Sequence, residues 1–185
     1  MARALKYLHG ANLLTQENFD YVLQGDGEYA ENLAKALCGI VKVNLFDDEQ
    51  IVQVMQAMSL GNGKFSYLIK EGSICLHRRG VFTADNLNTI LHNDNGACAL
   101  DRAVVLDYLY LWNLNFPQNK VAMDDCRSDI NYISMELEAL SEAGWIDNSQ
   151  LAQYVYSALT SYSGWYARDF SQSLNVLATH DLHLG

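Results

Sequence analysis

The feature that most constrains this chain is a short stretch that occurs four times along it. The copies read NLLTQENFDYVL from Asn12, NLFDDEQIVQVM from Asn44, GVFTADNLNTIL from Gly80 and GWIDNSQLAQYV from Gly144. Each copy begins with Asn or Gly, continues with two apolar residues and then Thr or Asp, and ends in an apolar stripe. A feature that recurs in this order indicates one structural unit that the chain uses several times.

We interpret each copy as a corner at which one helix ends and the next begins. Asn and Gly tolerate the left-handed backbone conformation of a residue just past a helix end. In the first copy Leu13 can then fold back on Leu8, as in a Schellman-type stop. Thr15 is predicted to cap the next helix through its hydroxyl group. Leu14 and Phe19 have the spacing of a hydrophobic staple.

The other copies repeat these roles. Gln50 follows Asp47 by three residues, and Gln150 follows Asp147 by three, which predicts two capping boxes. Apolar residues at spacing i, i+3, i+4 then predict a face that points to the core. The predicted core-facing residues are Phe19, Val22 and Leu23, then Ile51, Val54 and Met55, then Leu87, Ile90 and Leu91, and finally Leu151, Tyr154 and Val155.

The spacing of the copies predicts a helical repeat. Asn12 and Asn44 are 32 residues apart and Asn44 and Gly80 are 36 apart, whereas 64 residues separate Gly80 from Gly144. A degenerate copy, LYLWNLNFPQNK, lies in that gap and keeps the helix stop, but Pro117 replaces the staple and stripe. We therefore predict an all-α fold of stacked antiparallel helix hairpins, an irregular helical repeat of about five units with a period near 33 residues.

The predicted helix pairs are 2–10 with 15–24, 28–42 with 47–58, 64–78 with 83–92, 97–112 with an irregular successor, 122–143 with 147–161, and a last helix near 164–179. The stretch FSYLI at 65–69 is the best strand signal, and we read it as helix. An irregular all-α globule that reuses one kind of corner is the alternative. Tetratricopeptide and ankyrin repeats have similar periods, but their sequence signatures are absent.

Composition and net charge limit the kinds of protein that this chain can be. The 185 residues are half apolar with a single proline, which predicts one ordered domain over residues 1–185. A net charge of −10 disfavours nucleic acid as a partner, and no apolar segment approaches the length of a membrane span. The four cysteines form no C-x-x-C pair, which predicts a reducing compartment.

The stretches LLTQENFDYVL and VFTADNLNTIL resemble the L-[LF]-[TD]-x-x-N-[FL] helix corners common in effector proteins that Legionella-type bacteria deliver into host cells by a type IV secretion system. The resemblance covers the four corners only. It implies a virulence protein secreted into the host cytosol, where it docks on a host protein or on another effector. Such effectors often end in a Glu-rich signal, and the tail NVLATHDLHLG has no Glu, so the chain is expected to be a fragment of a longer protein.

Two aromatic clusters are the predicted binding residues, because Tyr and Trp are enriched in binding hot spots. They are Tyr110 and Trp112 at the end of a helix that is apolar on nearly all sides, and Tyr162, Trp165 and Tyr166 in YSGWYARDF. The alternative role is packing in the core for the first cluster and packing at the end of the array for the second.

Residue types that could act in catalysis or bind a metal are present, but they do not form a dense cluster in the sequence. Cys98 follows His92 and Asp94 in HNDNGAC, and THDLH near the end of the chain holds His180 and His183. Proximity in sequence does not make a catalytic triad, and two imidazoles near a carboxylate are a weak metal signal. We predict no catalytic residues, metal or cofactor. The predicted function is a non-catalytic protein-binding module, and the alternatives are a cysteine-dependent hydrolase or transferase and a structural region of a larger protein.

Overall fold

A computed structural model describes residues 1–126, 129–142, 144, 149–161, 169–170 and 172–173. Its α-helices are α1 (Ala2–Gly10), α2 (Gln16–Val22), α3 (Tyr29–Val43), α4 (Asp48–Met58), α5 (Ser66–Arg78), α6 (Ala84–Leu91), α7 (Ala99–Leu111), α8 (Pro117–Asp125), α9 (Ile130–Glu142) and α10 (Ser149–Ser161). Two short 3-10 segments are Leu60–Gly63 and His92–Asp94. Within the described residues there is no strand, and the all-α prediction is confirmed.

The predicted helix bounds agree with the structure to within two residues for α1 to α7 and for α10. The segment after α7 is where the prediction is wrong. It was expected to be irregular, but α8 begins at Pro117, because proline at the first helical position has a suitable φ and lacks only an amide that has no partner there. The predicted helix 122–143 is therefore two helices, with α8 ending at Asp125 and α9 beginning at Ile130. Most of the predicted last helix, 164–179, lies outside the described residues.

Every predicted helix stop has a left-handed residue. The φ angles are 58° at Asn12, 50° at Asn44, 71° at Gly80, 56° at Asn113 and 69° at Gly144. At three corners the next amide bonds the carbonyl five residues back: Leu13 to Leu8 at 2.8 Å, Val81 to Leu76 at 3.0 Å, and Leu114 to Leu109 at 2.6 Å. These are the long bonds of Schellman motifs, and they satisfy carbonyls that a helix end leaves without partners.

The helices that follow the first three corners begin as predicted. Thr15 and Thr83 each accept a hydrogen bond from the amide three residues on, at 3.2 and 3.1 Å. Asp47 and Gln50 form a reciprocal capping box, with bonds of 2.8 and 3.1 Å. Asp147, the predicted cap of α10, lies outside the described residues.

Asparagine at the third helical position adds a bond that the sequence analysis did not assign. Its side-chain amide donates to the carbonyl of the residue that closes the preceding Schellman motif. The pairs are Asn18 with Leu13 at 2.8 Å, Asn86 with Val81 at 2.7 Å, and Asn119 with Leu114 at 2.7 Å. Each bond ties the start of one helix to the end of the helix before it, so the corner is held from both sides.

Contacts divide the chain into two compact units, residues 1–103 and 104–185. In the first unit α3 contacts α1, α2, α4 and α5, while α6 contacts α4 and α5. In the second unit α10 contacts α8 and α9, and the Tyr156 hydroxyl donates to the Asn119 carbonyl at 2.7 Å. Each unit has a buried apolar core, which includes Leu8, Leu33, Leu37, Val54 and Ile69 in the first and Leu106, Leu109, Ile133 and Leu159 in the second. The single domain over residues 1–185 stays a prediction.

The predicted core stripe is correct in α6, where all three residues are buried, and wrong at two positions elsewhere. Leu23 is 49% exposed because α2 ends at Val22 and Leu23 follows its last turn. Tyr154 is 68% exposed because the buried face of α10 runs through Val155 and Tyr156. In both helices a tyrosine at a neighbouring position, Tyr21 in α2 and Tyr156 in α10, is buried instead.

Aromatic rings connect the second and third corners. Phe46 lies edge-on to His77 and to Phe82, with ring centroids 4.8 and 5.2 Å apart. Such pairs contribute about 0.5–1.5 kcal/mol beyond the area that they bury. Phe46 and Phe82 hold the same place in their corners, so the corner sequence supplies packing between successive corners as well as local helix stops.

The left-handed residue at a corner generates the first prediction. Gly80 has a φ of 71°, and a Cβ there would meet no atom within 4 Å. The only cost of a side chain at this position is therefore the strain of the left-handed backbone conformation. We expect Gly80→Ala to lower the free energy of unfolding by about 1–2 kcal/mol and Gly80→Asn by less, because Asn tolerates this conformation. Urea denaturation measures both changes, with Gly10→Ala as the control at a helical glycine that also has open space. Equal losses for the Ala and Asn variants would contradict this account.

Candidate functional site

The structure describes only the first of the two predicted aromatic clusters, Tyr110 and Trp112. Trp112 is 8% exposed and stacks on Tyr108 with ring centroids 5.0 Å apart, and Tyr110 is half-buried. Burial of this extent favours the core role for Trp112, and its binding role stays a prediction. The second cluster, Tyr162, Trp165 and Tyr166, lies outside the described residues.

The HNDNGAC segment is organised by Asp94 and not by a thiol. One carboxylate oxygen of Asp94 accepts hydrogen bonds from the amides of Gly96 and Ala97 at 2.9 and 3.1 Å. The other oxygen lies 2.8 Å from Nη2 of Arg102 in α7. Arg102 is fully buried and donates from Nη1 to the Ile90 carbonyl at 3.3 Å. Asp94 therefore fastens this loop to α7.

Electrostatics at Asp94 agree with a structural role. Burial acts to raise the pKa of Asp94, but the hydrogen bond and charge of Arg102 and the amides of Gly96 and Ala97 outweigh it and hold the pKa below its ordinary value of 3.8. Asp94 stays ionised at neutral pH with its oxygens occupied. A carboxylate bound in this way is poorly placed to orient a catalytic histidine.

The thiols lack the electrostatic setting of a nucleophile. No disulfide joins any of the four cysteines, all of which the structure describes, and each is half-buried. Burial raises the pKa of Cys98, and the Asp94 charge raises it further. Burial, followed by the charges of Asp129 and Asp125, raises the pKa of Cys126 to about 11. Reactive thiols need a lowered pKa, usually from a nearby cation or helix N-terminus, so these environments oppose the cysteine-enzyme alternative.

The described residues show neither a metal-binding cluster nor a membrane-spanning helix. Within the part of the chain that the structure describes, no three His, Cys, Asp or Glu side chains converge on a possible metal position. The THDLH segment lies outside that part. Among the described residues, no helix has both the length and the apolar character that crossing a bilayer requires.

A groove lies between α1 and α3 in the first unit, and we call it the α1–α3 groove. It encloses about 830 Å³. The two helices run parallel along it, since Arg3 lies 3.7 Å from Glu31 and, further along, the Cys38 thiol donates to the Tyr7 carbonyl at 3.6 Å. The apolar side chains that line it belong to Tyr7, Ala11, Leu13 and Val41.

The charged lining of the α1–α3 groove is mostly basic. Arg3, Lys6 and Lys42 line it with one carboxylate, Glu31, which Lys35 engages at 2.7 Å. The hydrogen bond with Lys35 lowers the pKa of Glu31 and raises that of Lys35. Lys6 and Lys42 are exposed, and neither has an ion-pair partner among the described residues. The groove is thus a positive region on a chain with a net charge of −10.

The sequence analysis missed this groove because its cations come from two helices. Arg3 and Lys6 belong to α1, and Lys42 is supplied by the last turn of α3. The available signal was the spacing of Arg3, Lys6 and Gly10 at i, i+3 and i+7, which places one glycine and two cations on one helix face. That spacing alone does not show whether this face of α1 is exposed or packed against another helix.

A second groove of about 550 Å³ lies between α2 and α4. Glu17 and Asp20 line it together with three glutamines, Val52 and Met55. Asp20 accepts a hydrogen bond from Gln16 at 2.7 Å. This second groove is acidic, as is the chain as a whole, whereas the charged lining of the α1–α3 groove is mostly basic.

Comparison of the chain with protein-family models, curated proteins and solved structures found no match. Function is therefore inferred from the residues and their geometry. The α1–α3 groove is the candidate site, because it combines open volume, an apolar lining and two cations, Lys6 and Lys42, that have no ion-pair partner among the residues that the structure describes.

The buried ion pair generates the second prediction. Asp94→Asn leaves Arg102, whose side chain is 1% exposed, without an opposite charge, and we expect a loss of about 2–4 kcal/mol in unfolding free energy at neutral pH. Because the folded-state pKa of Asp94 is lowered, its contribution is fully present above pH 3.8 and is lost as the pH falls through the folded value. The difference between variant and wild type should therefore shrink in acid.

Urea denaturation over a pH series measures this effect. Asp26→Asn is the matched control, because Asp26 is exposed and should change stability by less than about 0.5 kcal/mol. A loss for Asp94→Asn that is independent of pH down to strong acid would contradict the ion-pair explanation.

The thiol environments generate the third prediction. With raised pKa values, Cys98 and Cys126 should react with iodoacetamide near neutral pH more slowly than a free cysteine does, and rapidly once the chain is denatured. Peptide mapping by mass spectrometry follows each site separately. Faster labelling of either cysteine in the folded chain than in free cysteine would restore the enzyme alternative.

Proposed function

We propose that this chain is a non-catalytic protein-binding module of a type IV secreted effector, which acts in the reducing cytosol of a host cell by docking on a host protein or on another effector. The L-[LF]-[TD]-x-x-N-[FL] corners support the effector assignment. In two corners the Asn at the sixth position of the pattern donates a hydrogen bond to the preceding helix end, which gives that pattern a structural reason.

The proposed architecture is a stack of antiparallel helix hairpins with a period near 33 residues. Contacts between alternate helices support it within the first unit, where α1 contacts α3, α3 contacts α5, and α4 contacts α6. This is the neighbour pattern of a helical repeat, in which each hairpin buries its apolar face against the next. Repeats of this kind commonly serve as binding scaffolds, because stacking leaves helix faces and the grooves between them at the surface.

The observation that carries the binding proposal is the α1–α3 groove. It offers Tyr7 and Val41 beside exposed Lys6 and Lys42, a combination of apolar area and orienting charge that is typical of ligand-binding surfaces. The polar groups near the thiols, by contrast, are engaged in structural bonds. Cys126 donates to the Ala122 carbonyl at 3.1 Å, and Asp94 is bound to Arg102.

Affinity capture from host-cell lysate, with the folded chain as bait, tests this function. We expect one protein, or a small set, to be enriched reproducibly and to be displaced by untagged chain in solution. Bait that carries the tag alone is the control. Failure to enrich any protein over the control, or turnover of a host substrate that depends on Cys98 or Cys126, would contradict the proposal.

A further inference from the structure

We infer that the α1–α3 groove binds an acidic amphipathic helix of a partner protein. The inference rests on the proposed function and adds the chemistry of the partner. It depends on three observations. These are the length of the groove along α1, the sign and ion pairing of the charges that line it, and the burial of the apolar face of α1.

The dimensions of the groove suit a helix. Arg3, Tyr7 and Gly10 mark its course along α1, and seven residues of helix rise about 10 Å, which is roughly two turns. A partner helix that lies along α1 and α3 for this distance would place apolar residues at i, i+3 or i+4, and i+7 against Tyr7, Leu13 and Val41. Helix-in-groove binding uses this spacing.

The charges favour carboxylates on that helix. Lys6 and Lys42 are exposed and lack ion-pair partners among the described residues, while Glu31 is already engaged by Lys35 at 2.7 Å. An acidic helix would gain two cations without breaking an existing pair. The net charge of −10 opposes its approach from a distance, but charges further apart than about 8 Å are largely screened at physiological ionic strength, so the local cations dominate at contact.

An anionic lipid surface is the other ligand that such cations could attract. A helix binds a bilayer through an apolar face that can enter the interface. In α1 the apolar residues Ala4 and Leu8 are fully buried in the first unit, so that face has no access to lipid. The groove geometry therefore favours a protein helix.

Gly10 offers a way to close the groove without disturbing the core. It lines the groove, it is exposed, and a Cβ there would meet no atom within 4 Å. Gly10→Leu places a side chain in the volume that the partner helix needs, whereas Gly10→Ala adds only a methyl group and is the matched control. Lys6→Glu reverses one groove cation, and Lys64→Glu, outside the groove lining, is its control.

The test selects helical peptides from a displayed library randomised at surface positions, using the full chain as target. We expect the enriched peptides to carry Asp and Glu beside apolar residues at helical spacing. Their affinity should fall by about tenfold or more for Gly10→Leu and for Lys6→Glu, should fall far less for Gly10→Ala, and should be unchanged for Lys64→Glu, which lies outside the groove lining. Circular dichroism confirms that each variant is folded, and binding of the selected peptides should weaken with added salt.

Several results would overturn the inference. These are no enrichment over the starting library, enrichment of neutral or basic peptides, or peptides that bind Gly10→Leu as tightly as wild type. Vesicles of phosphatidylserine and phosphatidylcholine that bind wild type but not Gly10→Leu would assign the groove to a lipid surface instead. If a captured host protein bound the Gly10→Leu variant as tightly as wild type, the proposed protein-binding function would remain supported, but the α1–α3 groove would not be its binding site.

Discussion

The left-handed residue at each of the five corners is the constraint on which the rest of the structure depends. Asn12, Asn44, Gly80, Asn113 and Gly144 all have positive φ, and each lies where one helix stops and the chain turns toward the next. Asn and Gly adopt this conformation at little cost, and the Schellman bonds that follow satisfy carbonyls that would otherwise lack partners. Because the chain reverses at these points, successive helices pack against one another and bury their apolar stripes.

Polar residues in the described part of this protein are used mainly to hold elements together. The corner asparagines bond to the preceding helix end, Asp94 and Arg102 fix a loop to α7, and the Tyr156 hydroxyl bonds a carbonyl of α8. Buried polar groups need such partners, since leaving one unsatisfied costs about 1–3 kcal/mol. Asp94, one of the residues that resemble a catalytic set in the sequence, thereby has a structural role.

The α1–α3 groove illustrates how a concave surface is made. Its apolar and basic residues come from α1, the first corner and α3, and α1 and α3 pack against each other. Lys35 and Glu31 pair with each other, which leaves Lys6 and Lys42 available to a ligand. A binding site of this kind requires no residue that is unusual in itself, only an arrangement in which one carboxylate is engaged and two cations are not.

The sequence by itself determined helices α1 to α7 and α10, and the stops and caps of the first three corners, because these depend on residues within about six positions of one another, such as Leu8 with Leu13 or Asp47 with Gln50. It also determined which face of α6 is buried. Tertiary structure decided what local pattern could not. It placed Tyr21 rather than Leu23 in the core and paired Asp94 with Arg102. It also joined Lys6 and Lys42 across 36 positions of sequence into one groove, since proximity between distant segments follows from packing and leaves no periodic signal in either segment.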